Sequence, residues 1–559
     1  MLSLIPLLLA ATLTTPVDTG SVALRAALDA STAALMRWGD LSDVRPALRA
    51  AYDARQWEPF WLLQGKPSAA ARLVIRELVA AHDRGLDPTD YEAARLTAEA
   101  DSLTLRDEER SARFDIALSA AATRYALALD RGRIDPQTLH PTLRLKRDPF
   151  DAITFLTDAS RSAQPAAIFR GLEPGFYQYR RLQSALVTYR ILAQDSTLLA
   201  LPEMPRKLKR GTAYAGAPRL RRLLTLLGDL TDSVSVHRAS EGDSIYDVTL
   251  EKGIRRFQRR QGFSADGVIG DSTRTRLTHP FDERVRSIEL TLERWRWLPR
   301  HFEVPPIIVN IPGYRLNAYK GPQDVEADIL AMNVVVGAAV KHDTPLLAVD
   351  LVAVQFHPAW NVPMSIARKE IRPKAMKDPG YLAKEHYELL RGRTVVPSVD
   401  SNIRRIGTAV GVRQTPGSWN ALGQVKFVMP NSEDIYLHDT PSRGFFARAR
   451  RDFSHGCIRV SDPLALAAFL LRDRPQWTID SVRQAMMTDS VTRWVPLTAR
   501  VPVFLVYQTV VVTEAGETFF YGDVYGHDRA LDQALRKGYP YRSLAAGISK
   551  KSAEVPSGP

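Results

Sequence analysis

The sequence contains a single cysteine, Cys457, among 559 residues. One cysteine cannot form an intramolecular disulfide, and it excludes a metal centre that is built from several cysteines. Cys457 is therefore either a packed side chain or a reactive group, and a reactive thiol is typically a nucleophile.

The sequence also lacks any hydrophobic run of the roughly 18 residues that a membrane-spanning helix needs. The apolar run from Leu2 to Leu13 is shorter and has the size of a signal-peptide core. It predicts a signal peptide at residues 1–20 and an exported, periplasmic protein without a stable membrane span. Two features depart from the signal-peptide pattern: no Lys or Arg precedes the run, and no A-x-A cleavage motif follows it.

Motifs for nucleic-acid binding are absent as well. Basic residues outnumber acidic ones, 75 Lys and Arg against 62 Asp and Glu, which gives a net charge of +13. The excess favours an anionic partner. Because the arginines lie in short pairs and triplets without interleaved aromatic residues, the expectation is no nucleic acid, and lipid headgroups or an acidic cell-wall polymer remain.

Periodicity and composition predict a multidomain α+β protein. Ala, Leu and Arg at helical spacing predict an N-terminal helical scaffold domain at 21–204, and a small three-helix domain follows at 205–280. A connecting helix is predicted at 281–300. Apolar residues then alternate with period two, which predicts a mainly β domain at 301–544.

Two further segments have a different composition. Residues 363–415 are rich in Ala, Lys, Glu and Leu, and they predict a helical insertion within the β domain. The insertion either covers a site or is a surface excursion. Residues 545–559 are polar and predict a disordered tail.

The motif that carries chemistry surrounds Cys457 in the segment FSHGCIRV, with His438 upstream in YLHD. A cysteine thiol is mostly protonated at neutral pH, so a neighbouring imidazole that takes its proton supplies a general base. His438 ends a predicted strand, and Asp439 can fix its tautomer through either the backbone carbonyl or the carboxylate. Gly456 permits close backbone approach, and the consecutive amides of His455, Gly456 and Cys457 can stabilise an oxyanion.

These motifs carry a resemblance. HD followed by SHGCIR resembles the L,D-transpeptidase family with a YkuD-like catalytic domain. Further matching segments resemble the large exported subtype of that family: VNIPGYRLNAY, VVVG, HPAWNVPMSI, PGSWNALGQVKF and YGDVYGHD. In the small domain, GDL and IRRFQRRQGFSADGVIG resemble a three-helix peptidoglycan-binding domain.

The resemblance implies a set of site residues. Cys457 is expected to be the acylated nucleophile and His438 the base, with Asp439 as a third member that acts through its backbone carbonyl. His455 and Gly456 match the oxyanion region. The residues expected to contact substrate are Tyr436, Trp360, Ser454 and Arg459.

The resemblance also implies an activity. A thioester forms on Cys457 from a tetrapeptide stem of peptidoglycan, D-alanine leaves, and a second stem amine accepts the acyl group in a 3→3 cross-link. Water as acceptor would give an L,D-carboxypeptidase, and a lipoprotein lysine would give protein attachment. The expected partners are peptidoglycan stem peptides and glycan, and other cell-wall synthesis enzymes are candidates. No metal or organic cofactor is expected, and carbapenems are expected to acylate Cys457.

Several alternatives remain open from the residues alone. His438, His455 and Cys457 could bind zinc. Trp360 and Tyr436 could be core aromatics, and the small domain could either bind peptidoglycan or only orient the catalytic domain. The whole chain could also be a non-catalytic wall-binding scaffold, or an endopeptidase or amidase that uses the same dyad.

Overall fold

The computed structural model describes residues 19–30, 35–104, 107–230, 244–321, 329–340, 342–378, 380–487 and 491–538. The predicted signal peptide, apart from its last two residues, and the predicted tail at 545–559 lie outside the described residues. The described part of the chain divides into two compact units. The first comprises residues up to 134 together with 147–173 and 538, and the second comprises 135–146 and 174–537.

The helices of the described residues are α1 Thr19–Asp29, α2 Arg45–Ala54, α3 Ala69–Val79, α4 Ala93–Ser102, α5 Glu108–Arg131, α6 Pro136–Leu139, α7 Ala152–Arg161, α8 Pro165–Gly171, α9 Tyr177–Ala193, α10 Ala217–Leu226, α11 Val248–Arg260, α12 Asp271–Leu277, α13 Phe281–Trp297, α14 Met364–Ile366, α15 Arg372–Lys377, α16 Tyr381–Lys384, α17 Asp400–Ile403, α18 Pro463–Leu470, α19 Ile479–Met487 and α20 His527–Arg536. Short 3₁₀ segments lie at Ala80–Arg84, Pro88–Tyr91, Ser196–Leu199 and Arg443–Ala447, and a π-helical turn lies at Ala367–Ile371.

The strands of the described residues are β1 Leu62–Leu63, β2 Lys66–Pro67, β3 Ile307–Asn310, β4 Arg315–Tyr319, β5 Ile329–Gly337, β6 Leu347–Phe356, β7 Trp360–Val362, β8 Tyr387–Arg391, β9 Thr394–Val396, β10 Gly411–Gln414, β11 Val425–Val428, β12 Leu437–His438, β13 Asp452–Ser454, β14 Ile458–Val460, β15 Arg493–Val506, β16 Val510–Val512 and β17 Thr518–Phe520.

The first unit is helical and is organised around α5, which is buried on nearly every face. One of its buried residues, Asp115, is polar and anchors the neighbouring chain. Asp115 accepts hydrogen bonds from the Tyr52 hydroxyl and from the backbone N–H groups of Phe60 and Trp61. Burial nevertheless raises the pKa of Asp115 to about 6. These bonds fix the segment after α2 against α5, because a buried carboxylate is tolerated only where its lone pairs are occupied.

The second unit contains α6 and continues with α9, which lies in the segment 21–204 of the predicted helical domain and packs on α13. The predicted small domain consists of α10, α11 and α12, and its apolar side chains share one core with α9, α13 and the β16–β17 hairpin. A buried ion pair lies in this core: Arg260 of α11 contacts Asp229 and also donates to the backbone carbonyl of Thr518. The small domain is thus joined to the β domain by continuous packing.

The β domain is built on a sheet with the strand order β13-β5-β14-β12-β11-β6-β15-β3-β4. β4 also pairs with β5, so the sheet closes on itself. Most neighbours are antiparallel, whereas three pairs are parallel: β13 with β5, β12 with β14 and β15 with β3. The prediction of a mainly β domain is confirmed by this sheet, and α13 lies within the segment 281–300 where a connecting helix was predicted.

The insertion has its own core. It contains the predicted helices, α14 to α17, and in addition an antiparallel sheet in the order β7-β10-β8-β9 that the helical prediction did not include. The core residues lie on one face of that sheet and on the helices: Val362, Ala367, Ile371, Ala375, Leu382, Leu389, Ile403, Ile406, Val410 and Val412. Composition alone missed the strands because Ala, Lys and Glu dominate the helices and mask three short β segments.

No helix among the described residues is both long enough and apolar enough to span a bilayer.

Candidate active site

The pairing of β12 with β14 brings the two halves of the catalytic motif together. In this parallel pair, Leu437 is opposite Ile458 and His438 is opposite Arg459. The Ile458 N–H donates to the Tyr436 carbonyl at 3.0 Å. Cys457, which precedes β14, therefore lies beside Tyr436, and His438 projects on the same face of the strand as Tyr436 because side chains alternate.

The thiol of Cys457 is partly exposed, and its Sγ lies 3.5 Å from the backbone carbonyl of Asp434. Burial raises the pKa of the Cys457 thiol, although hydrogen bonds from Tyr436 and the charge of Lys426 oppose that rise. The thiol is thus protonated at neutral pH in the resting site. A base is needed to convert it into a nucleophile.

His438 is buried and has a fixed orientation. Its Nδ1 donates to the backbone carbonyl of Asp439 at 2.5 Å. That bond leaves Nε2 as the proton acceptor. Burial lowers the pKa of His438 to about 3, with the charges of Arg459 and Lys426 acting in the same direction. The imidazole is therefore neutral at physiological pH, which is the form that a general base requires.

Asp439 contributes more than its carbonyl. Its buried carboxylate accepts hydrogen bonds from the backbone N–H groups of Gln424 at 2.8 Å and Thr440 at 2.7 Å. The Arg443 guanidinium also contacts it at 2.5 Å and reaches the Ser461 carbonyl at 2.9 Å. The side chain thus fixes the loops that flank β12, while the carbonyl orients His438.

The turn that holds the nucleophile is tied together by one hydroxyl group. Ser454, expected to contact substrate, is buried, and its Oγ donates to the Cys457 carbonyl at 2.5 Å. The same oxygen accepts from the Gly456 N–H at 3.2 Å. This occupies one of the three amides that the sequence offered for an oxyanion. In the described part of the chain, the N–H groups of His455 and Cys457 have no hydrogen-bond acceptor.

The backbone of the turn requires a glycine. Gly456 has a φ of +114°, and side-chain-bearing residues rarely adopt that conformation. The turn between β13 and β14 places Cys457 directly before the start of β14.

The aromatic residues of the motif line the thiol. The Tyr436 hydroxyl hydrogen-bonds with both Cys457 and Trp360, and burial raises the pKa of Tyr436. Its ring lies 5.8 Å from that of His438 at a steep angle. Trp360 begins β7, so it also packs on the core of the insertion. Tyr436 thus contacts the nucleophile, and Trp360 joins the insertion to the site.

Two cations flank the dyad. Lys426 of β11 is opposite His438 in the register, and its Nζ lies 3.7 Å from the centroid of the Tyr436 ring. Burial lowers the pKa values of Lys426 and Arg459, and a charged thiolate at Cys457 would oppose that effect at both. Within the described residues, Arg459 Nε is buried and has no hydrogen-bond partner. Both cations stabilise negative charge on Cys457.

The insertion also contacts the motif directly. His455 Nε2 lies 2.6 Å from the carboxylate of Glu370, which sits on the π-helical turn. The ring of His342 lies 4.8 Å from that of His455. The insertion thus holds His455 in place. Because the His455 carbonyl and the Gly456 N–H form one peptide group, this contact adjoins the turn at Gly456.

Sequence reasoning missed Lys426, Glu370 and Asp434. Lys426 lies in the segment PGSWNALGQVKF, where a cation inside an alternating apolar strand was an available signal. Glu370 offers no such signal, because it lies in a helical segment with many charges. Among the described residues, no group of three or more His, Cys, Asp or Glu side chains is arranged to hold a metal ion.

Chemically, the site can perform acyl transfer. It presents a thiol, a neutral imidazole with a fixed tautomer, two backbone N–H groups without acceptors and two cations that favour a thiolate. These parts are the ones that nucleophilic attack on a carbonyl and stabilisation of the resulting oxyanion require.

Comparison with known proteins agrees with this chemistry. Residues 306–492 match the family model described as "L,D-transpeptidase catalytic domain". Residues 219–277 match "Putative peptidoglycan binding domain", and residues 46–186 match "Scaffold domain". The chain is also similar to a protein of Haemophilus influenzae named "Putative L,D-transpeptidase", with 35% identity over 231 residues, which is 41% of this chain and 45% of that protein.

The chain thus contains segments that match the models of all three domains, and residues 306–492 are similar to the L,D-transpeptidase catalytic domain. The match covers a little under half the length of the curated relative.

Proposed function

We propose that the protein is a cysteine L,D-transpeptidase that forms 3→3 peptidoglycan cross-links from tetrapeptide donors. The observation that carries the proposal is the fixed tautomer of His438, which projects on the same face of the strand as Tyr436, the residue that hydrogen-bonds with the Cys457 thiol. The family match of residues 306–492 supports the substrate class.

In the first half-reaction, His438 Nε2 takes the proton of Cys457 while Sγ attacks the carbonyl carbon at the L-centre of the third stem residue. The oxyanion that forms is stabilised by backbone N–H groups of the turn. The tetrahedral intermediate collapses, the bond to the terminal D-alanine breaks, and the D-alanine nitrogen takes the proton from His438. A thioester on Cys457 remains.

In the second half-reaction, the side-chain amine of a second stem attacks the thioester carbonyl. His438 accepts the amine proton, the carbon–sulfur bond breaks, and the proton returns to Sγ. No redox change occurs, and thiol, imidazole and amides are sufficient for every step. Water in place of the amine would give a carboxypeptidase, and a lipoprotein lysine would give protein attachment.

The test is mass spectrometry of products after purified protein meets a disaccharide-tetrapeptide. Wild type is expected to produce a dimer that lacks one D-alanine, whereas Cys457→Ala and His438→Ala produce none. The matched control is His301→Ala, because His301 is exposed outside the site. Tripeptide monomer alone would replace the proposal with the carboxypeptidase. No product, together with retained binding to sacculi, would favour the non-catalytic scaffold.

We further propose that the protein acts in the periplasm after export and that the small domain contacts peptidoglycan. The match of residues 219–277 supports this location and partner. Fractionation of cells and sedimentation of the protein with purified sacculi test the two parts separately. Recovery in the cytoplasm would contradict export, and failure to sediment would contradict wall binding.

A further inference from the structure

The catalytic turn contains peptide groups whose hydrogen bonds can be traced one by one. Ser454 Oγ occupies the Gly456 N–H and the Cys457 carbonyl. The Gly456 carbonyl accepts a hydrogen bond of 2.7 Å from the hydroxyl of Thr344. In the peptide group that joins Gly456 to Cys457, the carbonyl is therefore bound by Thr344, while the N–H has no acceptor among the described residues.

The hydroxyl of Thr344 can donate its proton to only one of its two partners. Thr344 is fully buried, and its Oγ1 accepts from the Gly337 N–H at 2.8 Å. A hydroxyl has a single proton to donate, and the Gly337 N–H can only be a donor. The proton of Thr344 must therefore go to the Gly456 carbonyl.

The planarity of the peptide bond gives this contact a consequence at the nucleophile. In a trans peptide, the carbonyl and the N–H of one peptide group point in opposite directions. Holding the Gly456 carbonyl against Thr344 directs the Cys457 N–H to the other side of the turn. We propose that Thr344 is a positioning residue, which orients the Cys457 N–H as the oxyanion donor of the acyl-transfer reaction.

A second hydroxyl holds Thr344 in place. Tyr525 Oη donates to the Gly337 carbonyl at 2.6 Å and accepts from the Thr344 N–H at 3.3 Å. The backbone at His342 packs closely against Gly337, the last residue of β5. A Cβ on Gly337 would lie 1.9 Å from the His342 carbonyl oxygen. Tyr525 belongs to the YGDVYGHD segment, to which the reaction described above assigns no role. Tyr525 thus supports the turn through its hydrogen bonds with Gly337 and Thr344.

Because this inference rests on the proposed function, its test separates oxyanion stabilisation from thiol reactivity. Two reactions of Cys457 are followed by intact mass: acylation by a carbapenem, which passes through an oxyanion, and alkylation by iodoacetamide, which does not. Thr344→Val removes the donor at nearly constant volume, whereas Thr344→Ser retains it. Thr275→Val, at an exposed position of α12, is the control for the change from Thr to Val.

We expect Thr344→Val to slow acylation about 100-fold and to leave the alkylation rate unchanged. Thr344→Ser should restore most of the acylation rate. Equal losses in both reactions would show a general structural role and overturn the proposal, as would an unchanged acylation rate in Thr344→Val. If wild type is alkylated but is acylated by neither the carbapenem nor the tetrapeptide, the proposed function itself fails.

Discussion

The small domain and the catalytic turn differ in whether their polar groups have hydrogen-bond partners within the protein. In the small domain, Gln258 is buried and uses both ends of its amide: Nε2 donates to Asp266 and to the Val268 carbonyl, and Oε1 accepts from the Gly267 N–H. In the catalytic turn, the described residues leave the Cys457 N–H without an acceptor. The first arrangement closes a turn, and the second leaves a donor for a ligand.

The difference has an energetic meaning. A polar group that water cannot reach costs about 1–3 kcal/mol without a partner. The buried Gln258 therefore has its partners inside the fold, whereas the N–H of the partly exposed Cys457 can be completed by a ligand. The motif residues of the small domain, among them Phe257 and Asp266, are used in core packing and turn formation. Whether that domain also contacts peptidoglycan stays a prediction, because its motif is explained by its fold.

Replacing the nucleophile should have the largest effect. Cys457→Ala is expected to abolish turnover, a change on the order of 10⁴-fold or more, since the thiol carries the covalent step. Its stability should change little, because Cys457 is partly exposed and its Sγ makes only weak polar contacts, with the Asp434 carbonyl at 3.5 Å and with Tyr436. Product analysis and thermal unfolding of the same preparation measure both. A loss of stability in Cys457→Ala would contradict the expectation that Cys457 contributes to the reaction but not to the stability of the fold.

Breaking the buried ion pair of the small domain should lower the stability and leave the reactivity of Cys457 unchanged. Arg260→Leu leaves Asp229 buried without its partner, and removing one member of a buried ion pair costs about 3–5 kcal/mol. Chemical denaturation measures the loss, and the alkylation rate of Cys457 in the folded protein should stay unchanged. Arg259→Leu is the matched control, because the neighbouring Arg259 is exposed. Equal stability of the two variants would contradict the expectation.

The sequence predicted those parts of the molecule whose signals are local. The helix α13 and the β character of the domain that follows it are predicted from periodicity within short windows. Cys457 and His438 were identified as the candidate dyad because FSHGCIRV and YLHD are compact motifs. The strands of the insertion were missed, since each is short and its neighbours along the chain are helical.

Contacts between distant segments could not be predicted. Thr344 and Gly456 are 112 residues apart, and Glu370 and His455 are 85 residues apart. No local pattern shows that these pairs meet, because the closure of the sheet and the fold of the insertion bring them together. The expected substrate contact of Ser454 stays a prediction. The structure adds that its hydroxyl bonds backbone groups of its own turn, which a motif does not reveal.

Acid should destabilise the second unit through its buried histidines. Burial lowers the pKa of His438 to about 3, of His140 to about 3 and of His527 to about 4. Below a pH of about 6.5, the unfolded chain binds protons at these sites that the folded chain does not. Stability is therefore complete above that pH and falls as the pH is lowered towards 4, by on the order of 1–2 kcal/mol per histidine at pH 5.

Denaturation at pH 7 and pH 5 measures this loss, and the His140→Gln variant should show a smaller difference between the two. His301→Gln should leave the difference as in wild type, because His301 is exposed. A stability that rises between pH 7 and pH 5 would mean that these histidines are not held neutral.

The contact between the insertion and the catalytic turn should have the smallest effect. Glu370 and His455 form a hydrogen bond in which the side chains remain 46% and 39% exposed, and exposed pairs contribute about 0–1 kcal/mol. Glu370→Gln is thus expected to change the acylation rate less than about fivefold. Glu385→Gln, an exposed carboxylate of the same insertion, is the control. A 100-fold loss in Glu370→Gln alone would mean that the turn depends on the insertion for its geometry, and the oxyanion donor would then be positioned from two sides, by Thr344 and by His455.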